Sequence, residues 1–512
     1  MTKKGKRHFV PIETKGRNIK RPAVLARRGS SDYRANWLVI GLGTIVVLAG
    51  NLGLKYLELQ NLHRHGLSQY FINFFNITPE MLATPWKLLL PYAVSPPFMR
   101  WSTTGLIPVS LLNQSLGVEP TFLLLNSLLI TITVLCAWFA TRSRVFTLTM
   151  AVCIGFGTQF NHAYPNTSVF ILYLFIIYLE VNLLFLYRIC VGKGDPFINK
   201  TLFVVSLMAA ALCWEMWIDY FAFIFIFALA AYIAFTRRSD KKMSSRFAFV
   251  LISATCIVAV YMSIKVLYSS GLSEHFTRGL EGESIFNYML TNNSPAYAIM
   301  AAEDIFSNYV TYNYLALTNF LPPFCFTANA LIFGREAIVN NQFGYATSYG
   351  SADFVYYHNI FLWYFCAGAV LLAFLYFLAR YLVRFFKDTS LRALALPGIL
   401  LLIAVGSFTH LFIKYRFYIS LPVYSYKCIV SILGVSLLIA YLIVALRDKM
   451  SNRKLNAVIM VLTWVVIILG AVLRPVLHSY LASLMKMPIY PLALEEITGM
   501  DLQKLYWSLV AP

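Results

Sequence analysis

Long apolar runs, broken by short polar stretches, recur along most of the chain. A run of roughly 20 apolar residues is long enough to cross a hydrocarbon core. No water is present there to satisfy the backbone, so each such run must be a helix. The pattern predicts spans over 36–54, 120–140, 145–158, 169–187, 201–213, 220–236, 247–268, 358–379, 393–412, 427–446 and 455–473. The chain therefore reads as an all-α polytopic membrane protein of about eleven transmembrane helices. A single multi-span domain occupies 35–512, and the third and fifth spans are short. Two long interruptions, 56–119 and 269–357, are expected as outer-face loop regions. Within the first, 102–116 alternates at helical spacing. Leu106, Val109 and Leu112 oppose Ser110, Asn113 and Gln114. That pattern predicts an amphipathic helix lying in the interface or at the mouth of a cavity.

Composition agrees with this class. Of 512 residues, 59% are hydrophobic and only 12% charged, where a soluble chain would carry about 25% charged residues. No small-residue cleavage pattern follows the first apolar run, which reads as a retained span. The net charge of +20 would suit nucleic acid, but its distribution points to a membrane. The predicted topology puts 29 of the 42 Lys and Arg on one side. This is the bias of short cytoplasmic loops, and such a basic face meets anionic headgroups. Residues 1–34 alone hold eleven of them without apolar periodicity, so this segment reads as a disordered cytoplasmic tail. The amino terminus is thus expected inside and the first long loop outside. The eight Cys show no CxxC or Cys/His metal spacing, and read as small buried residues. No P-loop, GxSxG, HExxH or GxGxxG is present, which removes the common nucleotide-driven and hydrolase readings.

Polar chemistry concentrates on the expected outer face. Trp214, Glu215, Trp217 and Asp219 fall within six residues at an outer turn. If this stretch is helical, Glu215 and Asp219 share a face. Indole faces stack on sugar rings and carboxylates accept sugar hydroxyls. The alternative is an aromatic belt with interfacial charges. Glu58 lies just beyond the first span, where a carboxylate could act as general base on an acceptor hydroxyl. His63 and Arg64 follow it. Lys414 and Arg416 flank another outer turn, and Arg474 starts the last outer segment. Cations there can hold the phosphate of a lipid donor, or serve as ordinary interfacial anchors. In the second loop, one carboxylate of Glu303-Asp304 could bind a divalent cation. The alternative is a capped surface helix, and no cofactor is certain. Glu180 interrupts the fourth span. Ionisable residues there tend to be paired and functional, although Arg188 lies only eight residues away, so Glu180 is also close enough to reach the inner surface.

Two stretches resemble the GT-C superfamily of integral membrane glycosyltransferases. One is Arg100-Trp-Ser-Thr-Thr-Gly-Leu-Ile-Pro-Val-Ser-Leu-Leu-Asn-Gln-Ser-Leu-Gly117, followed by Pro120, Asn126 and Thr141-Arg142. It is similar to the family's amphipathic segment and the span after it. The other is Lys414-Tyr-Arg-Phe-Tyr-Ile-Ser-Leu-Pro422, similar to the Arg-Tyr/Phe…Pro lead-in to a late span. The resemblance implies a many-helix fold that transfers sugar from a polyprenyl-phosphate donor on the outer or lumenal face. The family usually places a catalytic acid, commonly Asp, early in the first outer loop. Residues 56–119 contain no Asp; Glu58 is the acid nearest that place and Glu80 the second.

The expected activity is therefore an inverting transfer of sugar to a glycan, lipid or protein acceptor. Glu58 or Glu80 would be catalytic. Trp214, Glu215, Trp217, Asp219, His63 and Arg64 would bind substrate, and Lys414, Arg416 and Arg474 the donor phosphate. Expected partners are the lipid-linked donor, the acceptor and membrane lipids, without nucleic acid. Two rival readings stay open. An O-antigen-type polymerase or ligase would lean on His275, Arg278 and Arg335 of the second loop. A lipid or solute transporter would carry polar residues deep in several spans and internal repeats. The setting leans to a bacterial inner membrane over an endoplasmic reticulum. Sequons such as Asn76-Ile-Thr arise too often by chance to prove the latter.

Overall fold

The first N–H groups of an α-helix lack partners within it. At four junctions among the described residues a short polar side chain supplies one. The computed structural model describes residues 30–64, 92–95, 98–100, 103–157, 168–214, 217–270, 320, 369, 372–373, 375–384, 391–406, 429–449 and 452–484. Ser143 accepts from the Phe146 N–H at 3.4 Å, and Asp195 from those of Phe197 and Ile198 at 2.7 and 3.3 Å. Asp240 accepts from Met243 at 3.1 Å, and Asn452 from Lys454 and Leu455 at 3.1 and 3.2 Å. Ser, Asp and Asn are the side chains that cap helices well, and Pro196 stands at a first helical position, where its missing N–H costs nothing.

In order, the elements are α1 (Ser30–Arg64), an antiparallel ribbon of β1 (Tyr92–Ser95) and β2 (Phe98–Arg100), α2 (Thr103–Leu116) and α3 (Val118–Thr141). Next come α4 (Arg144–Val152), which continues as a π-helical turn (Cys153–Gly157), α5 (Ser168–Val191), α6 (Pro196–Ala211), α7 (Trp217–Arg237) and α8 (Lys241–Ser270). Then follow α9 (Leu391–Val405), α10 (Ile429–Lys449) and α11 (Arg453–Leu484). Among the described residues, 7 helices are long and apolar enough to cross a membrane: α1, α3, α5, α7, α8, α10 and α11. Three further apolar helices are shorter: Arg144–Gly157, Pro196–Ala211 and Leu394–Val405. The expected span over 358–379 and the loop over 269–357 fall mostly outside the described residues.

Several helices begin or end beyond their apolar runs. α1 continues ten residues past the expected end of the first span, because Leu57-Glu58-Leu59-Gln60-Asn61-Leu62 contains no breaker before Gly66. α6 starts at its Asp195-Pro196 cap and α8 at Lys241, both ahead of the point where the chain turns apolar.

Helix α5 is the centre of the bundle. Of its membrane-length window 78% is buried, against 17% for α1 and 22% for α8 and α11. Phe170, Tyr173 and Phe175 of α5 pack with Phe122 of α3, Phe203 of α6 and Tyr220 of α7 in one core. α1 and α11 turn apolar stripes outward. Leu38, Leu42, Ile45 and Val46 are exposed on α1, and Val458, Val461, Leu462, Val465 and Leu469 on α11. Water would oppose such stripes, whereas a bilayer accepts them, and together with the helix lengths they suggest a membrane protein.

Lipid tails are as apolar as leucine, so close packing and polar contacts must join helices there. α9 and α10 meet through small residues: Ser431 Oγ donates to the Ile403 carbonyl at 2.8 Å. A Cβ on Gly434 would stand 2.7 Å from the Ile403 side chain and 3.1 Å from its backbone nitrogen. Gly434→Ala should therefore destabilise by about 1–2 kcal/mol through overpacking, read as a lower midpoint for heat-induced loss of the monodisperse detergent-solubilised species. α9 also contains Pro397, which leaves the Ala393 carbonyl without its helical donor. A second joint links three elements. Asn126 of α3 donates to Asn51 Oδ1 of α1, and Asn51 donates to the Gly155 carbonyl in the π-turn. The irregular turn is tolerated because a neighbouring side chain satisfies its backbone.

One end of the bundle is basic. Its connections carry Arg142, Arg144, Lys193, Arg237, Arg238, Lys241, Lys242, Arg453 and Lys454. Across it Arg246 of α8 donates to the Cys190 carbonyl of α5 at 3.1 Å.

Candidate functional site

Among the described residues, polar groups that bear on function gather at the end opposite the basic turns and at mid-depth. At the first, the amphipathic segment folds as α2, too short to cross a bilayer. Val109 is buried, while Leu111, Gln114 and Leu116 are exposed. The start of α2 is fastened to its neighbours. Thr104 Oγ1 donates to the Ala209 carbonyl at 2.6 Å, and the Thr104 N–H to the Leu212 carbonyl at 3.2 Å. Those are end carbonyls of α6, the kind that a helix leaves unsatisfied. Tyr178 Oη of α5 donates to the Thr104 carbonyl at 3.1 Å. Thr104 therefore locks α2 to the middle of α5 and the end of α6.

Lys55 stands near this end of α1 and is only 3% exposed. Its Nζ lies 5.8 Å from the Phe122 ring centroid, within cation–π range. Phe122 packs in turn on Phe170 and Tyr173 at 5.5 and 5.8 Å. In the sequence Lys55 looks like any cation at a span end, and only packing shows its burial.

The residues singled out from the sequence divide between described and undescribed positions. Glu58, His63 and Arg64 lie on the last turns of α1, and Arg474 lies on α11. Glu80, Glu215, Lys414 and Arg416 fall outside the described residues, as do His275, Arg278, Arg335, Glu303 and Asp304. Trp214, Trp217 and Asp219 were expected on an outer turn. They are buried instead, and α7 already begins at Trp217. The Trp217 ring meets Tyr261 at 4.8 Å and Phe221 at 6.0 Å, both edge-on. Asp219 occupies the first turn of α7, where the helix dipole favours a carboxylate.

The mid-depth place is centred on Glu180. Its carboxyl is 5% exposed and contacts Thr133 Oγ1 of α3 at 2.8 and 2.9 Å. It lies deep in the bundle and does not reach toward Arg188 and the basic turns. Beside it opens a cavity of about 370 Å³, between α3, α4, α5, α7, α9 and α10. A neighbouring polar set, Asn182 with the Phe203 carbonyl, Ser206 and Tyr220, is self-satisfied. Among the described residues no three His, Cys, Asp or Glu side chains gather to hold a metal ion.

Comparison with protein-family models, curated proteins and solved structures finds no match.

Proposed function

We propose that the chain is a GT-C-type membrane glycosyltransferase that moves a sugar from a polyprenyl-phosphate donor to a glycan, lipid or protein acceptor at a membrane surface. The observation that carries this reading is α2. It is a helix too short to span a bilayer, fixed by Thr104 across α5 and α6, at the same end as the buried Lys55. A rigid shelf at an end that also carries a cation suits a lipid phosphate anchored in the bilayer with its sugar in water. In the full arrangement about eleven spans carry the site, on the face away from the basic turns and the amino-terminal tail. Glu58 or Glu80 takes the proton of an acceptor hydroxyl. The oxygen then attacks the anomeric carbon, the bond from that carbon to the phosphate oxygen breaks, and polyprenyl phosphate leaves with the electron pair. Lys414, Arg416 and Arg474 hold that phosphate, with Lys55 as a further candidate. Trp214, Glu215, Trp217, Asp219, His63 and Arg64 orient sugar and acceptor.

Native mass spectrometry of the detergent-purified protein tests the donor class. A co-purified polyprenyl monophosphate, with or without one sugar, is the expected result. A polyprenyl diphosphate bearing an oligosaccharide would instead assign an O-antigen-type polymerase or ligase. Ordinary phospholipid alone would count against both enzymes. A transporter is the second reading, favoured by the mid-depth cavity beside Glu180; solute counterflow in vesicles without bond formation would establish it.

A further inference from the structure

The cavity beside Glu180 has its own chemistry, independent of the transferase reading. At about 370 Å³ it falls within the roughly 300–1,000 Å³ range of small-molecule sites. Leu183, Phe223, Phe227, Leu402 and Leu433 make it apolar, and no Lys, Arg or His lines it among the described residues. By the scale of the roughly 150 Å³ cavity that holds benzene, it accommodates on the order of a dozen carbon atoms. From Glu180 the lining continues toward the basic end, to Thr141 and Val191. This volume suits one chain.

The polar end is defined by proton counting. Thr133 Oγ1 lies 2.9 Å from the Leu129 carbonyl and 2.8 and 2.9 Å from the two Glu180 oxygens. A hydroxyl has one proton, so it cannot donate to all three. One closure has the carboxyl protonated and donating to Thr133 Oγ1 while Thr133 donates to the Leu129 carbonyl, and the apolar lining around a buried carboxyl favours this neutral form over a lone carboxylate. A neutral carboxyl leaves its carbonyl oxygen to accept. An anionic head would find no cation in these walls, and an ammonium head would require the ionised carboxylate that this closed set disfavours.

We infer that the cavity binds a neutral single-chain lipid with a terminal hydroxyl, its head hydrogen-bonded to Glu180 and its chain running toward the basic end. The test uses the full chain in phosphatidylcholine nanodiscs, with dicyclohexylcarbodiimide as an apolar reagent for protonated carboxyls. The acid O–H adds across one C=N bond, and the O-acylisourea rearranges to a stable N-acylurea that peptide mass spectrometry locates. The adduct is expected on Glu180, and dodecanol should reduce its yield about threefold or more, which corresponds to about 0.65 kcal/mol or more of occupancy. Dodecane, dodecanoate and dodecylamine should protect less. In Thr133→Val the adduct should persist and protection by dodecanol should stay above that by dodecane, because the head bonds Glu180 itself. No adduct on Glu180 would overturn the inference, because the carboxyl would then be ionised or closed off. Equal protection by dodecane would reduce the cavity to apolar filling, and stronger protection by dodecylamine or dodecanoate would reverse the charge assignment. The wild-type measurements decide the matter even if a variant fails to fold.

Discussion

Trp217→Ala should lower the stability of the solubilised protein by on the order of 3 kcal/mol, read as a fall in the midpoint for heat-induced loss of its monodisperse species. Trp217 is among the largest fully buried side chains, and its ring is held edge-on by Tyr261 of α8 and Phe221 of α7. Truncation removes both contacts and opens a cavity at the start of α7, where Asp219 is buried as well. In a bilayer the transfer of apolar surface from water contributes less, so the loss comes from packing. Trp217→Phe separates packing from hydrogen bonding. The indole N–H has no acceptor among the described residues, so a phenyl ring that keeps the edge contacts should cost no more than about 1 kcal/mol. A large loss in the Phe variant would mean that this N–H is engaged.

Glu58→Ala should reduce sugar transfer by about 10²–10⁴-fold, the range that a positioned general base supplies, with binding of the lipid donor unchanged. Glu58 extends α1 beyond its membrane-length stretch Trp37–Tyr56, so a rigid helix rather than a loose loop presents this position. Glu80→Ala is the comparison. If Glu80 is the base, the large loss moves to that variant. If both variants keep full transfer, the base assignment fails. If arginine changes at 278 and 335 abolish activity while both carboxylate variants survive, the polymerase or ligase reading gains. Donor binding, measured separately by native mass spectrometry, distinguishes lost chemistry from lost folding.

The spans were legible because hydropathy is a long-range average that a bilayer enforces. The run expected over 120–140 is found as Glu119–Thr141, and the amphipathic stretch over 102–116 as Thr103–Leu116. Helix starts were less legible. Hydropathy marks where the chain turns apolar, whereas a helix begins where its N–H groups find a cap. The Asp195-Pro196 signal starts α6 ahead of Thr201, and Asp240 starts α8 ahead of Phe247. The depth of Glu180 could be read from its place in the fourth span, but its partner could not. Thr133 lies 47 residues away and becomes its neighbour only when α3 packs on α5. The cavity was invisible for the same reason, since six helices form it and none carries a motif for it. Trp214 and Trp217 look like a belt in sequence because interfacial and buried indoles have the same composition. Only the contact with Tyr261, 44 residues on, separates the two cases.

Pro397 bears on how the cavity can behave. It sits in the α9 wall next to Gly398, where a Cβ would stand 3.2 Å from the Phe227 ring. This wall lacks a rung between residues 393 and 397. Bending is cheapest where a hydrogen bond is already missing. The α9 wall is thus the side of the cavity where a bend gives up no further backbone hydrogen bond.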